Sequence, residues 1–433
     1  MRKLLLAVGI AAALAAALLV AGVFRKQPKA PQPTEFNSAI PVRVHAFTEE
    51  EGLVLLGETP SEQPIVIPPC EWWCVEPADL ALLGKVAEEV KAKGIPGLKL
   101  PKDATDDDLA HLKDLTSLRT LDLSETDFVG AGLVHVRGLK ELQRLILSGT
   151  HVRDEAVQSP LTALLGGRPV IRTSLVHLGE LTGLQELNLS RTRITDSGLK
   201  NLKAPKRLRA LGLTQTLISD AGLAGLKKMP ALEELNLALT EITDAGLAQV
   251  GGLAGLRRLN LSRCRITDAG LARLEGLTGL QELHLAECRQ LTDAGLAHLK
   301  GLTELRTLHL GMCIHLTDAG LANLKGLTGL QVLNLAMMKV TDAGLVHIEG
   351  MRDLRGLILA ITSVKDAGLV HLKGLKNLQL LSLAVTDVTD AGLVHLESLT
   401  ALRKLDLSKT YTTDAGIKKL QEALPKTDIR NWQ

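Results

Sequence analysis

The chain has 433 residues, with 50 lysines and arginines against 48 aspartates and glutamates, a formal net charge of +2, and 45% apolar residues although only 2% of the chain is aromatic. That near-balance excludes the basic stripe a phosphate backbone requires, and so few aromatics exclude a stacking platform for bases, so nucleic acid is not an expected partner. A chain of this length has ample material for a core, and that core must be aliphatic.

Met1-Arg2-Lys3 precedes an uncharged apolar run from Leu4 to Phe24, 21 residues long, followed by Arg25-Lys26. A hydrocarbon core needs about 20 helical residues, so the first expectation for residues 1–26 is an uncleaved membrane anchor with the remainder held outside the cytoplasm. The second is a signal peptide cut after Gly22, which leaves a secreted chain. Residues 27–35 are proline-rich and read as an extended linker. Residues 36–94 form a separate N-terminal region: short β-like pieces, then an amphipathic helix expected to open with Pro77 at its first position, to carry Leu80, Leu83, Val86 or Ala87, and Val90 on its apolar face, and to stop at Gly94. Cys70 and Cys74 bracket two tryptophans ahead of that helix, and in an exported chain they are expected to form a short disulfide.

From residue 95 to 433 a 24-residue sentence recurs. Leu-x-Leu triplets centre near 122, 146, 188, 212, 236, 260, 284, 309, 334, 358, 382 and 406, spaced 24 or 25 apart with one gap of 42, where residues 158–174 form an insertion. In one unit, Leu256, Leu259 and Leu261 alternate about the outward Asn260 as in a strand with one buried face. Thr267-Asp268 then suit a helix cap, and Leu271, Leu274 and Leu277 follow at helical spacing. Asp-Ala-Gly recurs nine times between Asp220 and Gly416. Such a period predicts a solenoid of the α/β class, a right-handed horseshoe with parallel strands on its concave side and short helices on its convex side.

These units resemble the leucine-rich repeat family, specifically its cysteine-containing subclass with repeats of the form L-x-x-L-x-L-x-x-C-x-x-I-T-D-x-G-L. The resemblance implies the solenoid fold but not one function. Repeats of this type are familiar in F-box proteins, which select substrates for ubiquitin ligases; here the apolar run and proline spacer stand where a helical F-box belongs.

Cys264, Cys288 and Cys313 occupy a slot that most repeats fill with threonine, such as Thr240 and Thr386, so they read as buried structural donors rather than metal ligands. His284 and His309 match on neighbouring strands without a carboxylate at the same position, an incomplete metal site on a polar surface. His298, His347, His371 and His395 are expected to face solvent on the helices. No phosphate loop, Gly-x-Ser-x-Gly or His-Glu-x-x-His is present, and no repeat carries a nucleophile and base that its neighbours lack, so neither catalysis nor a cofactor is expected. The residue before the Thr/Cys slot changes from Glu125, Gly149, Arg191 and Gln215 to Met312, Met337, Ile361 and Val385. With Val332, Ile358 and Leu380 these predict an exposed apolar patch that docks a protein ligand, edged by Asn260, His284, His309 and Asn334. The expected function is therefore a non-catalytic protein-recognition scaffold.

Overall fold

The computed structural model describes residues 34–48, 52–154, 174–202 and 206–432. It divides between Asn236 and Leu237 into two compact units.

In the unit that ends at Asn236, Val42–Thr48 pairs antiparallel with both Gly52–Glu58 and Trp72–Pro77. Trp72–Pro77 also starts a parallel ladder through Val75 and Leu98, which continues with Gly97–Lys99, Thr120–Asp122, Arg144–Ile146, Glu186–Asn188, Ala210–Gly212 and Glu234–Asn236. The 42-residue gap in the sequence leaves this ladder whole, since Leu145 and Leu187 are register partners. Residues 155–173, which include most of the expected insertion, lie outside the described residues.

Pro77 does not open a helix. It closes the strand opposite Val42, an end position where a missing N–H costs no ladder bond. The helix is Leu83–Lys93, reached through a tight turn over Leu80–Leu82 that Asp79 caps, and it buries Leu83, Val86, Ala87 and Val90. Gly94 ends it in the left-handed region, φ 63°. With strands at Val42–Thr48, Gly52–Glu58, Ile65–Ile67 and Trp72–Pro77, no helical F-box precedes the repeats among the described residues.

The expected disulfide is also corrected: Cys70 and Cys74 are both free. Extended backbone from Trp72 carries the buried Cys74 away at about 3.3 Å per residue, whereas a bridge needs Cα atoms about 4.4–6.8 Å apart. Beside it, Glu76 is buried and gathers His45 Nε2 at 2.8 Å, Lys99 Nζ at 2.8 Å and Arg43 Nη1 at 3.3 Å. Burial alone would raise its carboxyl, but the hydrogen bonds from His45 and Lys99 and their charge outweigh it and hold it at about 2.

In the unit that begins at Leu237, Arg258–Asn260, Glu282–His284, Thr307–His309, Val332–Asn334, Gly356–Ile358, Leu380–Ser382, Lys404–Asp406 and Asp428–Arg430 run parallel and in register. The central residue of each strand turns inward; Leu259, Leu283, Leu308, Leu333, Leu357, Leu381 and Leu405 are at most 1% exposed. The flanking residues point to the opposite, strand face. On the other side the helices are short, as in Asp268–Leu271 followed by a tighter turn over Ala272–Leu274.

The Thr-Asp-Ala-Gly motif divides its work differently from a simple cap. Thr267 caps its own helix by accepting the Ala269 N–H. Asp268 reaches forward to the next turn, where Oδ1 accepts the Thr292 N–H at 2.9 Å and Oδ2 the Thr292 hydroxyl at 2.6 Å. Gly295 completes the clamp, because a Cβ there would overlap Asp268 Oδ1. The same arrangement recurs at Asp244–Thr267, Asp293–Thr317, Asp318–Thr341 and Asp390–Thr413. Asp-Ala-Gly thus recurs as a fastener between turns.

Membrane anchoring is not supported. Among the described residues no helix is long and apolar enough to cross a bilayer, and the run from Leu4 to Phe24 that prompted the expectation lies outside them.

Candidate functional site

Each turn leaves its strand through one residue in the left-handed region. In the second unit these are Leu239, Arg263, Glu287, Met312, Met337, Ile361, Val385 and Lys409, with φ between 57° and 66°. The conformation has a structural cause: it aims the residue's N–H at the carbonyl of the next turn, as in Met312 to Ala336 (2.8 Å), Met337 to Ala360 (2.9 Å), Ile361 to Ala384 (2.9 Å) and Val385 to Ser408 (2.8 Å). Side chains at this position therefore line up along one rim of the strand face, one per turn and about 4.8 Å apart. Any L-residue is disfavoured here by about 1–2 kcal/mol, and β-branched residues most of all.

Met312, Met337, Ile361 and Val385 form four successive places in this row; the first three are half-buried and Val385 is exposed. The structure brings them together as the sequence suggests. It does not leave the rest of the apolar patch open, since Val332, Ile358 and Leu380 are 2%, 0% and 8% exposed. Part of that burial comes from in-register neighbours on both sides, Asn334 and Ser382 in the case of Ile358. The accessible apolar surface is the rim rather than the floor of the sheet.

The polar edge is rearranged too. Asn260 and His284 are half-buried, whereas His309 and Asn334 are buried. His284 and His309 are register partners with rings edge to face, 4.3 Å between centroids, and their Nδ1 atoms 3.1 Å apart. One Nδ1–H donates to the other's lone pair, and burial, followed by the neighbouring His284, holds His309 well below its ordinary pKa and hence neutral. No group of three or more His, Cys, Asp and Glu side chains suited to a metal occurs among the described residues. Asn334 is occupied by structure, its Oδ1 accepting the Ala336 N–H at 3.0 Å.

The cysteine slot is structural, with a detail the sequence does not reveal. A threonine there donates to a carbonyl of its own turn, Thr240 to Leu237 at 2.6 Å, whereas Cys264, Cys288 and Cys313 donate to the preceding turn, at Leu237, Leu261 and Leu285, 3.1–3.2 Å away. Burial pushes the Cys313 thiol up to about 12 and raises that of Cys288 as well, which suppresses the reactive thiolate. The helical histidines are half-buried at the surface: His298 meets Glu275 of the preceding turn at 2.5 Å and His371 meets Glu349.

Register-matched three-residue strands, one inward leucine per turn and a clamp repeated along the array agree with a comparison of the sequence with known families. The family described as a leucine-rich repeat region matches residues 173–423, more than half of the chain. The chain belongs to the leucine-rich repeat family. Among solved structures it is similar to an internalin of Listeria monocytogenes, with TM-score 0.56 and 21% identity over 81% of this chain and 93% of that one. It is also similar to a leucine-rich repeat protein of Leptospira interrogans, with TM-score 0.50 and 17% identity over 80% of each chain. Both likenesses concern the fold. No curated protein sequence matches. A leucine-rich repeat solenoid fits a protein–protein interaction scaffold.

Proposed function

We propose that this leucine-rich repeat protein is a non-catalytic recognition scaffold that holds a protein ligand along the strand-face rim formed by Met312, Met337, Ile361 and Val385. The observation that carries the reading is the placement of Ile361 and Val385 at φ 58° and 57°, where a β-branched side chain is strained and where its partial exposure returns little packing energy. Glycine occupies the equivalent position at Gly149, so the turn does not require an apolar residue. Backbone strain retained at an apolar side chain that stays partly accessible is characteristic of binding surfaces. Methionine at the other two places supplies adaptable apolar contact.

The test is a pair of chains, unaltered and Ile361→Asn/Val385→Asn, immobilised and challenged with native extract. Asparagine tolerates the left-handed region, so the variant should melt at the same temperature or slightly higher while losing the protein that the unaltered chain retains. Retention unchanged would overturn the rim as the docking site. In the same reading the chain is exported with cleavage after Gly22, and the secreted protein should then begin at Val23 on amino-terminal sequencing.

A further inference from the structure

The same rim changes character towards its Arg263 end. There an open cleft of about 480 Å³ is lined by Arg263, Arg265, Glu287 and Arg289, with the buried Cys264 and the exposed Gln290. Glu287 is nearly buried, its side chain 11% exposed, because it lies between Arg263 at 2.5 Å and Arg289 at 3.4 Å. Arg265 meets Glu241 at 2.8 Å. The side chains of Arg265 and Arg289 are each 66% exposed, and each contacts its carboxylate through Nη2 alone. A guanidinium carries five N–H donors in a planar fork, so both still have donors facing the cleft.

Charge decides what fits. Three guanidiniums meet two carboxylates, a surplus of one positive charge that a single monoanion neutralises and that a phosphate dianion or a sulfated polymer exceeds. Arg265 and Arg289 sit on adjacent turns about 4.8 Å apart, close enough to flank one carboxylate. Met312 lies one turn beyond Arg289 and two beyond Arg265, about 5–10 Å along the rim, or up to three residues of an extended peptide.

We infer that this arginine cleft receives a carboxylate side chain of the protein ligand, so that the ligand's contact segment carries an acidic residue up to about three extended residues from an apolar run. The inference rests on the rim reading above and adds the ligand's chemistry and polarity to it.

The probe is a fluorescein-labelled synthetic peptide with two glutamates, a three-residue spacer and four leucines or valines, followed by fluorescence anisotropy against the full chain. A second peptide has glutamine in place of glutamate. Three proteins are compared: the unaltered chain, Arg265→Gln/Arg289→Gln, and Ile361→Asn/Val385→Asn. The expected result is that the glutamate peptide binds about tenfold more tightly than the glutamine peptide, and that Arg265→Gln/Arg289→Gln removes this difference while leaving the glutamine peptide's affinity unchanged. Raising the salt concentration should erode the advantage in the unaltered chain only. Equal affinity for the two peptides, or an advantage that survives the arginine changes, overturns the cleft while leaving the apolar rim in place. Binding of both peptides unaffected by Ile361→Asn/Val385→Asn counts against the rim instead, and failure of both peptides to bind the unaltered chain counts against both. Arginine-dependent binding of a heparin fragment in place of the peptide overturns the carboxylate in favour of a polyanion.

Discussion

The forward clamp between turns makes a quantitative demand on Asp268 and Gly295. Asp268→Ala removes two hydrogen bonds from a carboxylate, to the Thr292 N–H and hydroxyl at 2.9 and 2.6 Å. Bonds to a charged group contribute about 1.5–3 kcal/mol each, but Thr292 is exposed and water screens and replaces part of both, so a loss below that summed range, about 2 kcal/mol in total, is expected. Gly295→Ala places a Cβ against Asp268 Oδ1, and overpacking of this kind costs about 1–3 kcal/mol. The two changes are coupled by design: once the carboxylate is gone, the Cβ has room. Urea denaturation of both single variants and the double variant should therefore give a double-variant loss close to that of Asp268→Ala alone, a coupling of about 1–3 kcal/mol. Additivity within about 0.5 kcal/mol would show that the glycine serves some other purpose and would refute the clamp.

Further tests address other parts of the molecule. Glu76, held at about 2 against an ordinary 4.5, contributes stability that is fully present above pH 4.5 and is lost as the pH falls towards 2. The loss amounts to at most about 3 kcal/mol, and Asp122, whose carboxyl burial raises, offsets part of it; Glu76→Gln should flatten the acid limb of the stability curve, and an unchanged limb would refute this account. Of the five cysteines only Cys70 is appreciably exposed, so a thiol reagent should modify at most one per native chain and all five in urea. Rapid modification of two or more would contradict the buried donor ladder of Cys264, Cys288 and Cys313. Leu283→Ala, at a fully buried central strand position, should cost about 2–5 kcal/mol by urea titration, and a loss below about 0.5 kcal/mol would contradict the register.

The repeat, its parallel ladder and the inward leucines were legible in the sequence because they arise from local periodicity: an alternating triplet, a capped turn and a fixed return length specify the same small structure each time. Threonine–cysteine equivalence at one slot was legible for the same reason, since a substitution pattern reports on an environment shared by every turn. The sequence also grouped Met312, Met337, Ile361 and Val385, because residues at one phase of a repeat stack. What it did not contain was anything that depends on a neighbouring turn. Asp268 read as a helix cap because its own helix is the nearest set of amides in the chain, whereas its bonds go to Thr292. Pro77 read as a helix start because the proline rule is local, whereas pairing with Val42, 35 residues earlier, claims it for a strand. The burial of Val332, Ile358 and Leu380, the contact of His284 with His309 and the convergence of Arg263, Arg265 and Arg289 on one cleft are likewise products of stacking. Periodicity specifies which face a side chain takes; only the packed array decides how much of that face remains open and which charges meet across it.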